Sequence, residues 1–171
     1  MILEKATHSD FDRIYAEMEA NFVPEERRDR DEAYALLNCP AYTVYHVTDG
    51  EKQVGFVTVW ELEDFAFIEH FVTYPAFRNQ GYGARALELL KQRFDTIVLE
   101  VEPPIAQMQA RRIAFYRRCG FVLNNYPYRQ PAYRAGGTGV ELILMSYPNA
   151  LEDCEQAVRL IYERVYAVKK V

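Results

Sequence analysis

Phe71-Val72-Thr73-Tyr74-Pro75-Ala76-Phe77-Arg78-Asn79-Gln80-Gly81-Tyr82-Gly83-Ala84 is the stretch that decides the fold of this chain. It leaves an apolar, β-branched run over residues 65–72, meets a proline that stops it, crosses a polar loop and enters a helix. From Gly81 onward the period is helical, with Ala84, Leu87 and Leu90 in register as far as Arg93. Gly81 and Gly83 let the backbone turn its N–H groups inward at a helix N-terminus, where the helix dipole adds partial positive charge. That combination binds phosphate. Arg78 and Arg85 add full charges, and between Arg78 and Arg93 four bases stand against one acid, Glu88, in a chain of net charge −5.

The loop admits other readings. The plainest is a glycine-containing turn before a surface helix. Gly81-x-Gly83-x-x-Ala86 also satisfies the dinucleotide fingerprint, with Glu100 standing 19 residues beyond Gly81, where a ribose-binding acid is expected. Three features weigh against a nicotinamide enzyme. Pro75 and Arg78-Asn79-Gln80 separate the strand from the first glycine, the motif does not open a domain, and too little chain follows for a doubly wound sheet with a substrate domain. No Gly-Lys-Ser/Thr is present, which excludes a P-loop.

Upstream, residues 2–5 read as a strand. Ser9 is the expected cap of a helix starting near Asp10, with Phe11, Ile14, Tyr15 and Met18 on one face. The segment 21–24 breaks it, and a charged second helix is expected over residues 25–37, ended by Asn38-Cys39-Pro40. Residues 42–47 and 53–61 read as a hairpin about Thr48-Asp49-Gly50-Glu51, with Val54, Phe56 and Val57 in the core. Downstream, residues 96–101 form a buried strand ended by Pro103-Pro104. A helix over 107–118 carries Ala110, Ile113, Ala114 and Phe115, and Gly120 closes it. Strands follow at 121–123 and 140–145. Leu151, Cys154, Val158, Ile161, Val165 and Val168, spaced alternately by 3 and 4, mark a final amphipathic helix. Meandering strands followed by a strand–helix–strand–helix unit predict an α/β domain around a mixed sheet.

Composition sets the outer bounds. A length of 171 residues allows one domain with at most an appendage. Hydrophobic residues at 50% and charged residues at 26% rule out a disordered chain. The acidic balance argues against a dedicated nucleic-acid binder. Cys39, Cys119 and Cys154 match no zinc or redox spacing, so free thiols in a reducing cytoplasm are expected, with no metal. The first ten residues lack the apolar region of a signal peptide, and no apolar run is long enough to span a membrane.

The stretch from Phe71 to Ala84 resembles the signature of the GNAT superfamily of N-acetyltransferases, an Arg/Gln-x-x-Gly-x-Gly/Ala loop after the fourth strand. Ile113-Ala114-Phe115-Tyr116-Arg117-Arg118-Cys119-Gly120-Phe121 resembles that family's second block, at a fitting distance. The resemblance covers residues 1–147. It implies a mixed, mostly antiparallel sheet with splayed central strands flanked by helices, and an acetyltransferase domain over 1–147. Residues 148–171 are then an extra C-terminal helix, packed on the domain or at a dimer interface.

The resemblance also implies roles. Arg78, Asn79, Gln80, Gly81, Tyr82, Gly83 and Ala84 would hold the pyrophosphate of acetyl-CoA. The backbone of Phe71, Val72 and Thr73 would pair with the pantetheine, and an amide of Phe71 or Val72 would polarise the thioester carbonyl. Tyr116 would protonate the leaving thiolate. Gln109 stands where many members carry a pantetheine-binding asparagine, a departure that weakens that assignment. Two acids compete for the base. Glu69 sits in an otherwise apolar run, where a carboxylate needs a reason, and Glu100 matches a glutamate that some protein N-terminal acetyltransferases use. His70 points to the opposite face from Glu69 and reads as structural. The loop over 125–139, with three tyrosines and two arginines, could wall an acceptor pocket. The expected activity is acetyl transfer to a primary amine by direct attack, the acceptor a small molecule. The alternatives are a protein N-terminus or lysine as acceptor, or a non-catalytic acetyl-CoA sensor. A monomer or homodimer without nucleic-acid or membrane partners is expected.

Overall fold

Gly50, with φ +62°, sits at the first corner of the hairpin that organises the N-terminal half. A positive φ is what a two-residue hairpin turn requires there. Asp49 and Lys52 pair across the turn. The computed structural model describes residues 1–134 and 136–167. The chain divides into two compact units, Met1–Glu61 with Ile68–Arg93, and Leu62–Phe67 with Phe94–Val171.

In the first unit, strands β1 (Ile2–Lys5), β2 (Tyr42–Asp49), β3 (Lys52–Glu61) and β4 (Ala66–Thr73, from Ile68 onward) lie in the order β1-β2-β3-β4. The β1–β2 and β2–β3 pairs are antiparallel. Strand β3 is buried on both faces from Val54 to Trp60, so it reads as a continuous apolar run rather than an alternation. Gly55 is there for a steric reason. A Cβ on it would stand 2.1 Å from the carbonyl oxygen of Val72 on β4.

Helices α1 (Phe11–Asn21), α2 (Arg30–Leu36) and α3 (Tyr82–Lys91) complete the unit. Phe11, Ile14, Tyr15 and Met18 form the buried face of α1. The expected Ser9 cap is corrected. Thr7 and Asp10 close the entry reciprocally, the Thr7 N–H and hydroxyl donating to the Asp10 carboxylate at 2.9 and 2.7 Å. The second helix also starts later than expected. Pro24–Glu26 is a short 3₁₀ turn, and α2 begins only after Asp29, whose side chain accepts the Glu32 N–H at 2.9 Å. On α3 the buried stripe is Ala86, Leu87 and Leu90, with Ala84 half-buried.

The second unit holds β5 (Ile97–Val101), α4 (Gln107–Arg118), β6 (Val122–Leu123), β7 (Tyr128–Gln130), β8 (Val140–Tyr147) and α5 (Cys154–Leu160), which runs on into a π-helical turn, Ile161–Val165. Strand β8 is the hub and pairs antiparallel with β5, β6 and β7. Ala66, where β4 begins, donates its N–H to Thr96 at 2.9 Å. The segment 125–139, expected as a plain loop, contains β7, with Tyr128 opposite Leu142 and Gln130 opposite Val140.

Helix α4 ends on Gly120, φ +83°. The Phe121 N–H donates to Tyr116 O and the Gly120 N–H to Arg117 O, a Schellman closure sealed by the Tyr116–Phe121 ring contact at 5.7 Å. Ala110 is exposed rather than part of the apolar face. The C-terminal stripe is rotated from its expected line. Ala157, Leu160, Ile161 and Val165 are buried while Val158 is only half-buried, and Val168 lies outside the described residues. The whole is an α/β fold with an open, mostly antiparallel sheet of eight strands.

Candidate active site

Strand β4 ends at Thr73, Pro75–Phe77 makes one 3₁₀ turn, and the chain then takes two left-handed positions, Asn79 at φ +62° and Gly81 at φ +79°. Asparagine tolerates that region better than most side chains, and glycine without strain. The Arg85 N–H bonds back to Gly81 O at 3.1 Å as the helix opens. The amides before it in the first turn therefore have no acceptor within the helix and are available to an anion.

Arg78 braces the loop. Its Nε donates to Thr73 O at 3.1 Å and a terminal nitrogen to the Asn21 side chain at 2.8 Å. The Gln80 amide reaches Ala76 O at 2.9 Å. Arg85 lies over the Tyr82 ring, 4.4 Å from its centre, and 3.7 Å from Asp49. Residues 78–81 are exposed.

Along β4 the burial alternates after Ile68, with His70 and Val72 buried and Glu69, Phe71 and Thr73 partly open as whole residues. The Glu69 side chain is nonetheless wholly covered. It accepts hydrogen bonds from Arg28 and, at 2.8 Å, from the Trp60 indole N–H. Burial pushes its carboxyl up, but the Arg28 guanidinium and the Trp60 N–H outweigh that and hold it below the usual carboxylate range.

His70 has structural partners. Its backbone N–H donates to Thr58 Oγ1 at 2.9 Å, and Nε2 donates to the Glu26 carbonyl at 3.1 Å. Burial lowers its pKa, so it stays neutral at physiological pH. Glu25 and Glu26 themselves are exposed.

In the second unit Tyr116 is buried at the C-terminal end of α4, between the rings of Phe115 and Phe121. Burial pushes its phenol up to about 12, which keeps it protonated at neutral pH. Gln109, on the first turn of α4, has a buried side-chain carbonyl oxygen with no partner among the described residues. Such an orphan calls for a donor from outside the chain. Glu100, on β5, accepts from the Tyr128 hydroxyl and from the Tyr166 hydroxyl, which lies 3.1 and 3.0 Å from its two oxygens.

The first unit thus gathers Glu69, residues 71–73 and the loop 78–84, and the second carries Glu100, Gln109 and Tyr116. Sequence reasoning missed Arg28, Trp60 and Tyr166. The only signal for the first two was the unexplained acid in an apolar run. Tyr128 stood in the flagged tyrosine-rich loop, but as a pocket wall rather than a donor to Glu100. Among the described residues no group of His, Cys, Asp or Glu is placed to hold a metal ion, and no helix is long and apolar enough to cross a membrane.

Residues 9–121 match the model of the acetyltransferase (GNAT) family. A solved structure from Bacteroides thetaiotaomicron, "Putative acetyltransferase from GNAT family", is 36% identical, covers 99% of this chain and 100% of its own, and superposes with a TM-score of 0.91. The Bacillus subtilis (strain 168) protein "Putative acetyltransferase YjbC" is 25% identical over 160 residues, 91% of this chain and 82% of that one. An aminoglycoside 6′-N-acetyltransferase solved with coenzyme A shares the fold at 17% identity and a TM-score of 0.63, covering 90% of this chain and 100% of that one.

Proposed function

The chain belongs to the GNAT family of acetyltransferases, and from that premise we propose that it moves acetyl from acetyl-CoA to the nitrogen of a small primary amine by direct attack. The observation that carries the cofactor assignment is the loop 78–84, with its two left-handed residues, its first-turn amides that have no acceptor within the helix, Arg78 inside it and Arg85 directly after it. These groups fit a pyrophosphate. The orphaned Gln109 oxygen fits an amide N–H of the pantetheine arm. The backbone of Phe71, Val72 and Thr73 pairs with that arm, and an amide of Phe71 or Val72 takes the charge that develops on the thioester oxygen.

The acceptor arrives as an ammonium, with a pKa of roughly 8 to 10.4, and must lose a proton before it attacks. Glu100 and Glu69 are the two candidate bases. The phenol-held, half-buried Glu100 is favoured, because Glu69 is covered and already paired with Arg28. The nitrogen lone pair then forms the C–N bond at the carbonyl carbon. The C–S bond breaks, and the thiolate takes the Tyr116 proton. The acylated nitrogen gives up its second proton to water, and the phenol recovers a proton from water. Tyr116 suits that role because it is protonated throughout the physiological range.

The acceptor is the open part of the reading. Structures with this fold are named for acceptors as different as spermidine and a ribosomal-protein alanine. Enclosure of Glu100 by tyrosines favours a compact cationic amine, with a protein N-terminus or lysine as the alternative. Three free cysteines suit a cytoplasmic setting.

The test is thiol release from acetyl-CoA with spermidine, an aminoglycoside and a peptide bearing a free N-terminal alanine. Turnover with the small amines is expected. Tyr116→Phe should lower kcat by about 100-fold with little change in the KM for acetyl-CoA. Binding of acetyl-CoA without thiol release from any acceptor would identify a sensor instead.

A further inference from the structure

Tyr128 and Tyr166 lie beyond the residues that match the family model, which end at 121. One belongs to β7 and the other follows the π-helical turn that ends the described C-terminal element. Both hydroxyls nevertheless converge on one carboxylate. Tyr128 and Tyr166 both donate to Oε1 of Glu100, and Tyr166 also spans to Oε2 at 3.0 Å.

The arrangement is braced from behind. The Tyr162 hydroxyl donates to Arg129 O at 2.6 Å, fixing the C-terminal helix to β7. The Tyr128 and Tyr162 rings stand 5.9 Å apart, and those of Tyr133 and Tyr166 5.3 Å apart. Three chain segments far apart in sequence are therefore tied together around Glu100.

We infer that Tyr128 and Tyr166 are positioning residues for Glu100, and that β7 and the end of the C-terminal helix complete the acceptor end of the site through them. This rests on the reading of Glu100 as the base. A carboxylate can accept at about four lone-pair positions. Two phenols donating to it fix the plane of the Glu100 carboxylate. Tyr128 and Tyr166 face Glu100, and the Tyr162 and Tyr133 rings pack against theirs.

The test is a double-mutant cycle on the full chain, read as thiol release with the same three acceptors. Phenylalanine keeps each ring and removes only the hydroxyl, so Tyr166→Phe and Tyr128→Phe preserve the packing. Each should lower kcat by about 10-fold while leaving the KM for acetyl-CoA unchanged. Combined with Glu100→Gln, neither should lower kcat further, because each acts only through that carboxylate. A second readout needs no acceptor. Followed by ¹³C NMR, the Glu100 carboxyl should titrate about one pH unit higher in Tyr166→Phe than in the wild type. Losses that multiply on the Glu100→Gln background, or an unmoved Glu100 titration, would overturn the proposal. Wild-type kcat in Glu100→Gln would instead remove the base reading on which it stands, a distinct outcome that overturns it as well.

Discussion

Glu69 shows how far a single residue can be read. A carboxylate inside Phe67-Ile68-Glu69-His70-Phe71 announces a partner, since an unpaired buried charge is costly. Its partner, Arg28, lies 41 residues away in sequence on a segment between two helices, and nothing in local periodicity identifies it. The pair is covered on both sides, with side-chain exposures of 11% and 0%, and Arg28 also sits over the Trp60 ring, 5.6 Å from its centre. Arg28→Met should therefore cost about 3–5 kcal/mol, because it leaves Glu69 buried without its cation. Urea unfolding monitored by Trp60 fluorescence measures it. The double variant Arg28→Met with Glu69→Gln should recover much of the loss. The glycines were more legible than the acids. The positive φ values of Gly50, Gly81 and Gly120 occur at the turn, the helix entry and the helix exit where the sequence placed them.

At the scale of elements, periodicity located nearly every strand and helix, and the shortfalls have identifiable causes. Strand β7 is three residues long and lies between Pro127 and Pro131, a pattern that reads as loop until β8 is available to pair with it. The second helix begins late because the backbone is extended at Arg27 and Asp29 supplies the cap, while the Arg27 and Arg28 side chains reach Tyr15 and Glu69. At the entry to α1, Thr7 rather than Ser9 does the capping, and this has a pH signature. Hydrogen bonds from the Thr7 backbone and hydroxyl, more than the nearby His46, hold the Asp10 carboxyl down to about 2. Its pKa is lower folded than unfolded, so its stabilisation is complete above roughly pH 4 and fades as pH falls toward 2. Wild type should melt above Asp10→Asn at pH 6, and the gap should be roughly halved near pH 3 and close below about pH 2. A gap that persists unchanged would show that the carboxylate is not the stabilising form.

Over the whole molecule, the site residues anticipated from sequence fall in both compact units. The phosphate loop and β4 are in one, and Glu100, Gln109 and Tyr116 in the other. The turn from β4 into α3 was legible because glycines ahead of a helical period announce such a backbone. The surroundings of Glu100 were not, because they depend on Tyr128 and Tyr166, which come from segments without local periodic meaning and meet only through the fold. If the loop 78–84 holds acetyl-CoA, as proposed, the ligand raises the melting temperature of the chain. A ligand present at 100 times its Kd that binds only the folded chain adds about 2.7 kcal/mol, or roughly 5–10 °C for a domain of this size. At up to about 1 mM ligand, a shift of that order is expected with acetyl-CoA and with CoA, and none with NADH. A shift with NADH alone would contradict the account and make residues 81–86 a dinucleotide turn.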